Sequence, residues 1–364
     1  MICGLVYHHL FEIPGSNHSP RLSMEASTAF VPEFINGFFH LAFMAAVPTL
    51  SVISGYLFFN RQTLNFRKQL VGRFYTVALP SWLWSALWLA AAYTLYQLNI
   101  ASGGFAWVNY GFENPSAMTL INGIFGVTRE PLAFQFWFVH DLLITLLLSP
   151  LIYLALRWLR AWIFVPLLVC WLLIPSPPFM FSGNVPVFFT IGAFLAMPGN
   201  SSLESVLRRL LTHRLGLLCL LSLLLIVRLM AYKFGPAETF IQGHIYLCLL
   251  RIVGVAAIAS ALYALVLKEG QFLDLCLRYS GYSFFVFAAH FPLIELVQAA
   301  VVVIPGYSAD LGMFISWLTL PFLTIVLCVA LAKLTERIAP SVFNVLNGGR
   351  QGDTRPVALS AHPA

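Results

Sequence analysis

Ten ionisable side chains lie inside or at the edge of apolar stretches of this chain: His8, His9, His40, His140, Asp141, Arg228, His244, Arg251, His290 and Glu295. Such groups are costly in hydrocarbon, so each one found there is a functional candidate by default. His9 closes the apolar opening M-I-C-G-L-V-Y-H-H, and an imidazole, with an ordinary pKa of about 6.5, suits proton transfer near neutral pH. His40, His244 and Arg228 sit near enough to the ends of their stretches to reach water, so interfacial or packing roles compete with functional ones. Arg251 follows His244 by seven residues. An unpaired guanidinium there would be expensive, so a carboxylate, a carbonyl or an anionic ligand is expected beside it, and either Glu295 or Asp141 could serve.

Arg73, in K-Q-L-V-G-R-F-Y-T-V-A-L-P, is either a positive anchor at a span end or a guanidinium for phosphate. The segment at 135–153, Q-F-W-F-V-H-D-L-L-I-T-L-L-L-S-P-L-I-Y, sets Trp137, His140 and Asp141 at the start of a long apolar helix. His140 and Asp141 are neighbours in sequence, so they are expected to point in different directions and not to form a dyad. There is no phosphate-binding loop, no G-x-S-x-G, no H-E-x-x-H and no dinucleotide fingerprint. The six cysteines stand singly, without metal-ligand spacing, and read as small apolar fillers; no metal is expected. A donor must therefore bind to groups gathered within a helical bundle.

The elements that gather them are legible in composition. Of 364 residues, 60% are hydrophobic and 9% charged, against roughly 25% charged in a soluble domain. The chain reads as an all-α integral membrane protein of about ten transmembrane helices, with one embedded domain over 1–345 and a polar, disordered tail over 346–364. Spans are expected near 1–12 (partial), 34–59, 69–97, 135–156, 161–175, 185–198, 214–232, 244–267, 279–304 and 312–335. The opening eleven or twelve residues cross only about half a bilayer, so the chain is expected to begin inside its first helix, with no cleavable signal peptide.

Basic residues alternate between loops. One set holds Arg61, Arg67, Lys68 and Arg73, then Arg157 and Arg160, Arg208, Arg209 and Arg214, Lys268 and Arg278, and finally Lys333, Arg337, Arg350 and Arg355; the opposite loops hold only Arg21, Arg129 and Lys233. The positive-inside bias places the first set, and both termini, in the cytoplasm. The net charge of +6 thus reports orientation, and no nucleic-acid partner is expected.

Several segments together resemble the acyltransferase-3 family of bacterial membrane O-acyltransferases. V-Y-H-H at 6–9 is similar to the end of its first-helix pattern, and A-V-P-T-L-S-V-I-S-G-Y-L-F-F at 46–59 to its P-x-F-F-x-x-S-G-F-L-F segment. R-F-Y-T-V-A-L-P-S-W-L-W-S at 73–85, Q-F-W-F-V-H-D-L running into S-P-L-I at 135–152, P-V-F-F-T-I-G-A-F-L-A at 186–196 and Y-S-G-Y-S-F-F-V-F-A-A-H-F-P-L-I at 279–294 follow in the family's order. Two departures stand out. The arginine that the family sets about eleven residues before its first-helix histidine would precede Met1, and the arginine of its W-F-L-R-D-L segment is replaced by His140.

The resemblance implies a multi-pass protein of the bacterial inner membrane. It implies a cytoplasmic acetyl-CoA or other acyl-CoA donor and a hydroxyl acceptor on a saccharide or lipid-linked sugar, reached from the other face. His9, with His8 second, is then the base or the transient acyl carrier. His290 lines the same cavity or is structural. Arg73 and Arg251 are the donor-binding candidates, and Ser54, Trp137, His140, Asp141 and Glu295 are expected around the substrate. Ser54 and Gly55 also permit close helix approach. A secondary transporter of a small anionic or acylated metabolite is the competing reading of the same buried charges, but the two halves show no internal repeat.

Overall fold

The computed structural model describes residues 2–9, 30–61, 64–98, 110–129, 131–174, 181–200, 202–235, 239–302 and 310–352. Of the helix over 2–9, the side chains of His8 and His9 lie outside the described residues. In chain order the α-helices are α1 (Ile2–His9), α2 (Phe30–Phe43), α3 (Ala46–Phe59), α4 (Phe66–Arg73), α5 (Leu79–Gln97), α6 (Ala117–Phe125), α7 (Trp137–Leu147), α8 (Ser149–Leu159), α9 (Phe164–Leu173), α10 (Asn184–Ala196), α11 (Leu203–Thr212), α12 (Arg214–Phe234), α13 (Phe240–Lys268), α14 (Gln271–Tyr279), α15 (Ser283–Val302), α16 (Asp310–Ile338) and α17 (Pro340–Leu346). No strand occurs among the described residues.

Among the described residues, six helical stretches are long and apolar enough to cross a membrane: Gly37–Phe59, Ser149–Leu173, Arg214–Phe234, Ile241–Lys268, Gln271–Val297 and Leu318–Ile338. Two shorter apolar helical stretches, Phe134–Leu147 and Asn184–Ala196, join them. The expected count of ten differs from this for local reasons. The opening helix has only eight residues. The expected span at 69–97 is divided by a π-helical segment, Phe74–Ala78, just before Pro80. The expected span at 135–156 divides at Leu148, because Pro150 has no N–H to give the Leu146 carbonyl. The chain then turns between α8 and α9 at Arg160 (φ 51°, ψ −127°), a conformation foreign to a helix interior.

Two glycines set the closest crossing, between α3 and α10. A Cβ on Gly55 would lie 2.0 Å from the Phe189 carbonyl oxygen, and one on Gly192 would lie 1.9 Å from that of Val52. Small residues are the usual means of close approach in lipid, where packing replaces the hydrophobic drive between helices. Just beyond the crossing, Phe58, Phe59, Phe66, Tyr153 and Phe189 pack ring on ring at centroid distances of 5.2–6.3 Å, with Phe59 stacked on Tyr153 at 6.3 Å.

The stretch containing α15 is the most buried of the six. It packs against α16, α1 and α5. Pro292 interrupts its ladder, leaving the Ala288 carbonyl without its N–H donor four residues on. Two side chains supply donors in its place: Trp88 Nε1 at 3.1 Å and Gln135 Nε2 at 2.8 Å. Lower on the same helix, Trp84 meets the Phe285 ring edge-on at 4.9 Å and donates to the Leu346 carbonyl at 3.0 Å.

That last bond corrects the expected boundary of the tail. Residues 346–352 do not hang free. Asn347 is fully buried; its Oδ1 accepts from Phe285 N at 3.2 Å, and its Nδ2 donates to the carbonyls of Gly281 and Arg350. Gly348 and Gly349 carry positive φ (64° and 73°), which lets the chain fold back there. Residues 353–364 lie outside the described residues.

Gly192→Leu is expected to destabilise the protein by about 1–3 kcal/mol or more through overpacking, lowering its melting temperature in detergent, whereas Gly216→Leu, where a Cβ meets nothing within 4 Å, leaves it unchanged. Trp88→Phe combined with Gln135→Leu orphans the Ala288 carbonyl at a cost of about 1–3 kcal/mol. Pro292→Ala should return part of that loss by restoring an N–H, and a thermal-stability comparison of the three variants checks it.

Candidate active site

His290 sits two residues before Pro292, within the interrupted turn of α15, and is fully buried. Its Nδ1 lies 2.7 Å from the Phe287 carbonyl and 3.2 Å from that of Val286. Carbonyls only accept, so Nδ1 carries the proton and a neutral ring keeps its lone pair on Nε2. Glu295, five residues on, is 3% exposed, and neither carboxyl oxygen finds a hydrogen-bond partner among the described residues. A buried polar group left so is costly, which marks the position for a ligand or another polar group. α1 runs against α15 and α16, with Val6 in the core, so the helix that ends at His9 borders the one carrying His290. The side chains of His8 and His9 are outside the described residues.

A second polar group gathers where α7 begins. Contrary to the expectation for adjacent residues, His140 Nδ1 lies 3.2 Å from Asp141 Oδ1. Asp141 Oδ2 also accepts from Ser182 N at 2.8 Å. The network continues through Ser182 Oγ, which takes Asn184 Nδ2 at 2.6 Å, and Asn184 Oδ1, which takes Trp171 Nε1 at 2.9 Å. His244 Nε2 lies 2.8 Å from the Trp171 carbonyl and so donates to it. Asp141 is 2% exposed, while Trp137 and His140 are half-buried.

The sequence candidates therefore do not form one constellation. Neither Asp141 nor Glu295 pairs with Arg251; Asp141 is engaged by His140 and Ser182, and the half-buried Arg251 instead meets the Cys248 sulfur one turn earlier. Arg228 lies over the Tyr232 and Tyr246 rings at 4.4 and 5.2 Å, a packing role. Ser54 is half-buried beside the Gly55 crossing.

Arg73 belongs to a third place. A pocket of about 690 Å³ opens between the end of α3 and α4, with Asn60, Asn65, Gln69 and Thr76 among its walls and Arg61, Lys68 and Arg73 as its cations. Asn65 caps α4 by accepting from Lys68 N at 2.9 Å, which fixes the helix start that carries Lys68 and, a turn and a half on, Arg73. The side chains of Arg61, Lys68 and Arg73 have no ion-pair partner among the described residues. Three cations around one cavity with no carboxylate among its lining residues give it a positive potential. The π-helical segment that follows Arg73 is a departure from α geometry often found at functional sites.

Trp88, Gln135 and Ser182 escape sequence reasoning. Pro292 signals that the Ala288 carbonyl needs a donor, but the donors come from 200 and 153 residues away in the chain.

The Acyltransferase domain family model (Acyl_transf_3) matches residues 1–333. The chain is also 27% identical over 360 residues to the succinoglycan biosynthesis protein ExoH of Rhizobium meliloti (strain 1021), a likeness covering 98% of this chain and 91% of that protein. No solved structure matches it. With a family match over most of its length, apolar helices able to span a bilayer and buried histidine and carboxyl groups between them, the chain belongs to the acyltransferase-3 family and is a multi-pass membrane acyltransferase.

Proposed function

We propose that this protein transfers an acetyl or other short acyl group from cytoplasmic acyl-CoA to a hydroxyl of a cell-envelope or exopolysaccharide sugar or a lipid-linked glycan. The observation that carries the donor assignment is the cationic pocket without a carboxylate. Coenzyme A bears a diphosphate and a 3′-phosphate, and Arg61, Lys68 and Arg73 offer the charge-assisted hydrogen bonds that such groups take. The positive-inside bias supports a cytoplasmic setting for that end of the bundle and an inner-membrane location. The acceptor class is supported by the relative, whose name assigns it to biosynthesis of succinoglycan.

In this reading His9 or His290 Nε2 takes the proton of the acceptor hydroxyl as its oxygen attacks the thioester carbonyl. The carbon–sulfur bond then breaks, the coenzyme A thiolate takes up a proton, and the products are the sugar ester and the free thiol. If the transfer has two steps, His9 carries the acyl group between donor and acceptor. Glu295 and the His140–Asp141 pair, with Trp137, are the acceptor-side candidates, since sugars are held by carboxyl groups and aromatic faces together. Arg251 is a weaker donor-binding candidate than Arg73, because its guanidinium is met by Cys248.

Inverted membrane vesicles given radiolabelled acetyl-CoA should move label into a glycan fraction. His9→Ala and His290→Gln should each reduce the rate by about 10²–10⁴-fold, the usual worth of a general base. Arg73→Gln should raise the KM for acetyl-CoA about tenfold with less effect on kcat, as loss of one charge-assisted bond requires. Wild-type vesicles that move no label would overturn the reaction, and an unchanged KM in Arg73→Gln would remove the donor from this pocket.

A further inference from the structure

The segment after α17 lies beyond the family match, which ends at residue 333, yet it is bonded to Thr76, a wall residue of the cationic pocket. Pro80 cannot donate to the Thr76 carbonyl four residues before it. Arg350 Nη1 does so instead, at 3.1 Å, and donates also to the Asn347 carbonyl at 2.9 Å. Thr76 lines the pocket. The fit leaves no slack: a Cβ on Gly348 would lie 2.2 Å from the Thr76 oxygen, and one on Gly281 would lie 1.9 Å from the Gln351 oxygen.

This arrangement brings like charges together. Burial, and then the nearby Arg73 guanidinium, hold Arg350 below its ordinary pKa. No carboxylate relieves the pair among the described residues: Glu336, the acid beside this segment, accepts the Tyr282 hydroxyl at 2.6 Å, and neither arginine has an ion-pair partner. Two neighbouring guanidiniums repel unless an anion lies near both. A helix carbonyl could be satisfied by a neutral donor, as Trp88 and Gln135 satisfy Ala288. The Arg350 guanidinium also lies over the Phe284 ring at 4.8 Å, a contact that favours a cation but gives it no counter-charge.

We infer that Arg350 is a donor-binding residue of this acyltransferase, a second guanidinium beside Arg73 for the phosphates of acyl-CoA, delivered by the folded-back segment 347–352. The inference rests on the donor-site reading above. Coenzyme A carries about four negative charges near neutral pH, and Arg350 joins Arg61, Lys68 and Arg73 as a fourth cation against them. S-acetylpantetheine, which has the same thioester but no phosphate, would gain nothing from it.

The test compares acetyl-CoA with S-acetylpantetheine as donors for the full-length protein in proteoliposomes. Arg350→Gln should raise the KM for acetyl-CoA about tenfold, leave that for S-acetylpantetheine unchanged and leave kcat within about twofold, and Arg350→Lys should recover part of the loss. A purely structural arginine would impair both donors alike, and that result, or no effect on either, overturns the inference. If Arg73→Gln separates the two donors and Arg350→Gln does not, the donor site stands and this inference alone falls; if neither separates them, the donor-site reading falls as well. A measurement on the wild type guards against misfolding: acetyl-CoA, but not S-acetylpantetheine, should shield Arg350 from phenylglyoxal, as read by peptide mass, and equal modification with both would also overturn it.

Discussion

In a bilayer every main-chain carbonyl must find a donor within the protein, and two prolines set that demand at the two most consequential places in this molecule. Pro292 releases the Ala288 carbonyl in α15, and Trp88 and Gln135 close on it. Pro80 releases the Thr76 carbonyl at the pocket wall, and Arg350 closes on that. Each freed oxygen thus becomes a point where distant parts of the chain are tied together. The helix carrying His290 and Glu295 is held by the first tie, and Thr76, a wall residue of the cationic pocket, by the second.

The remaining framework is steric. Gly55 and Gly192 let α3 and α10 approach until backbone touches backbone. The aromatic residues beyond that crossing, Phe58, Phe59 and Phe189, fill the space the glycines leave at the ends. Because α4 follows α3 after six residues, the same crossing constrains where Asn65, Lys68 and Arg73 stand. Packing with no direct part in chemistry therefore determines the position of the charges.

Chemistry is spread along the bundle in three places. Cations gather at the pocket, a histidine with a fixed tautomer and a carboxyl group unpartnered among the described residues lie within α15, and the His140–Asp141–Ser182 network stands where α7 begins.

Much of this was legible in the amino-acid sequence. Scarcity of charge and repeated apolar runs dictate a helical membrane protein, since hydrocarbon tolerates few other backbones. The segments at 46–59, 73–85, 135–152, 186–196 and 279–294 carry the family, and Gly55 announces a close approach by its size alone. Other features depend on pairs of residues far apart in the chain, which no local pattern encodes. The His140–Asp141 contact depends on χ angles at a helix start, and adjacency alone argues against it. For Arg251 the sequence leaves a carboxylate, a carbonyl or an anionic ligand open as the partner, and the fold sets Cys248 beside it. Arg350 reads as part of a loose polar tail, and only the fold reveals that a carbonyl freed by Pro80 lies within its reach. Sequence determines which groups are costly to bury; tertiary structure decides which partner meets that cost, because partners are chosen by proximity in space and not by order along the chain.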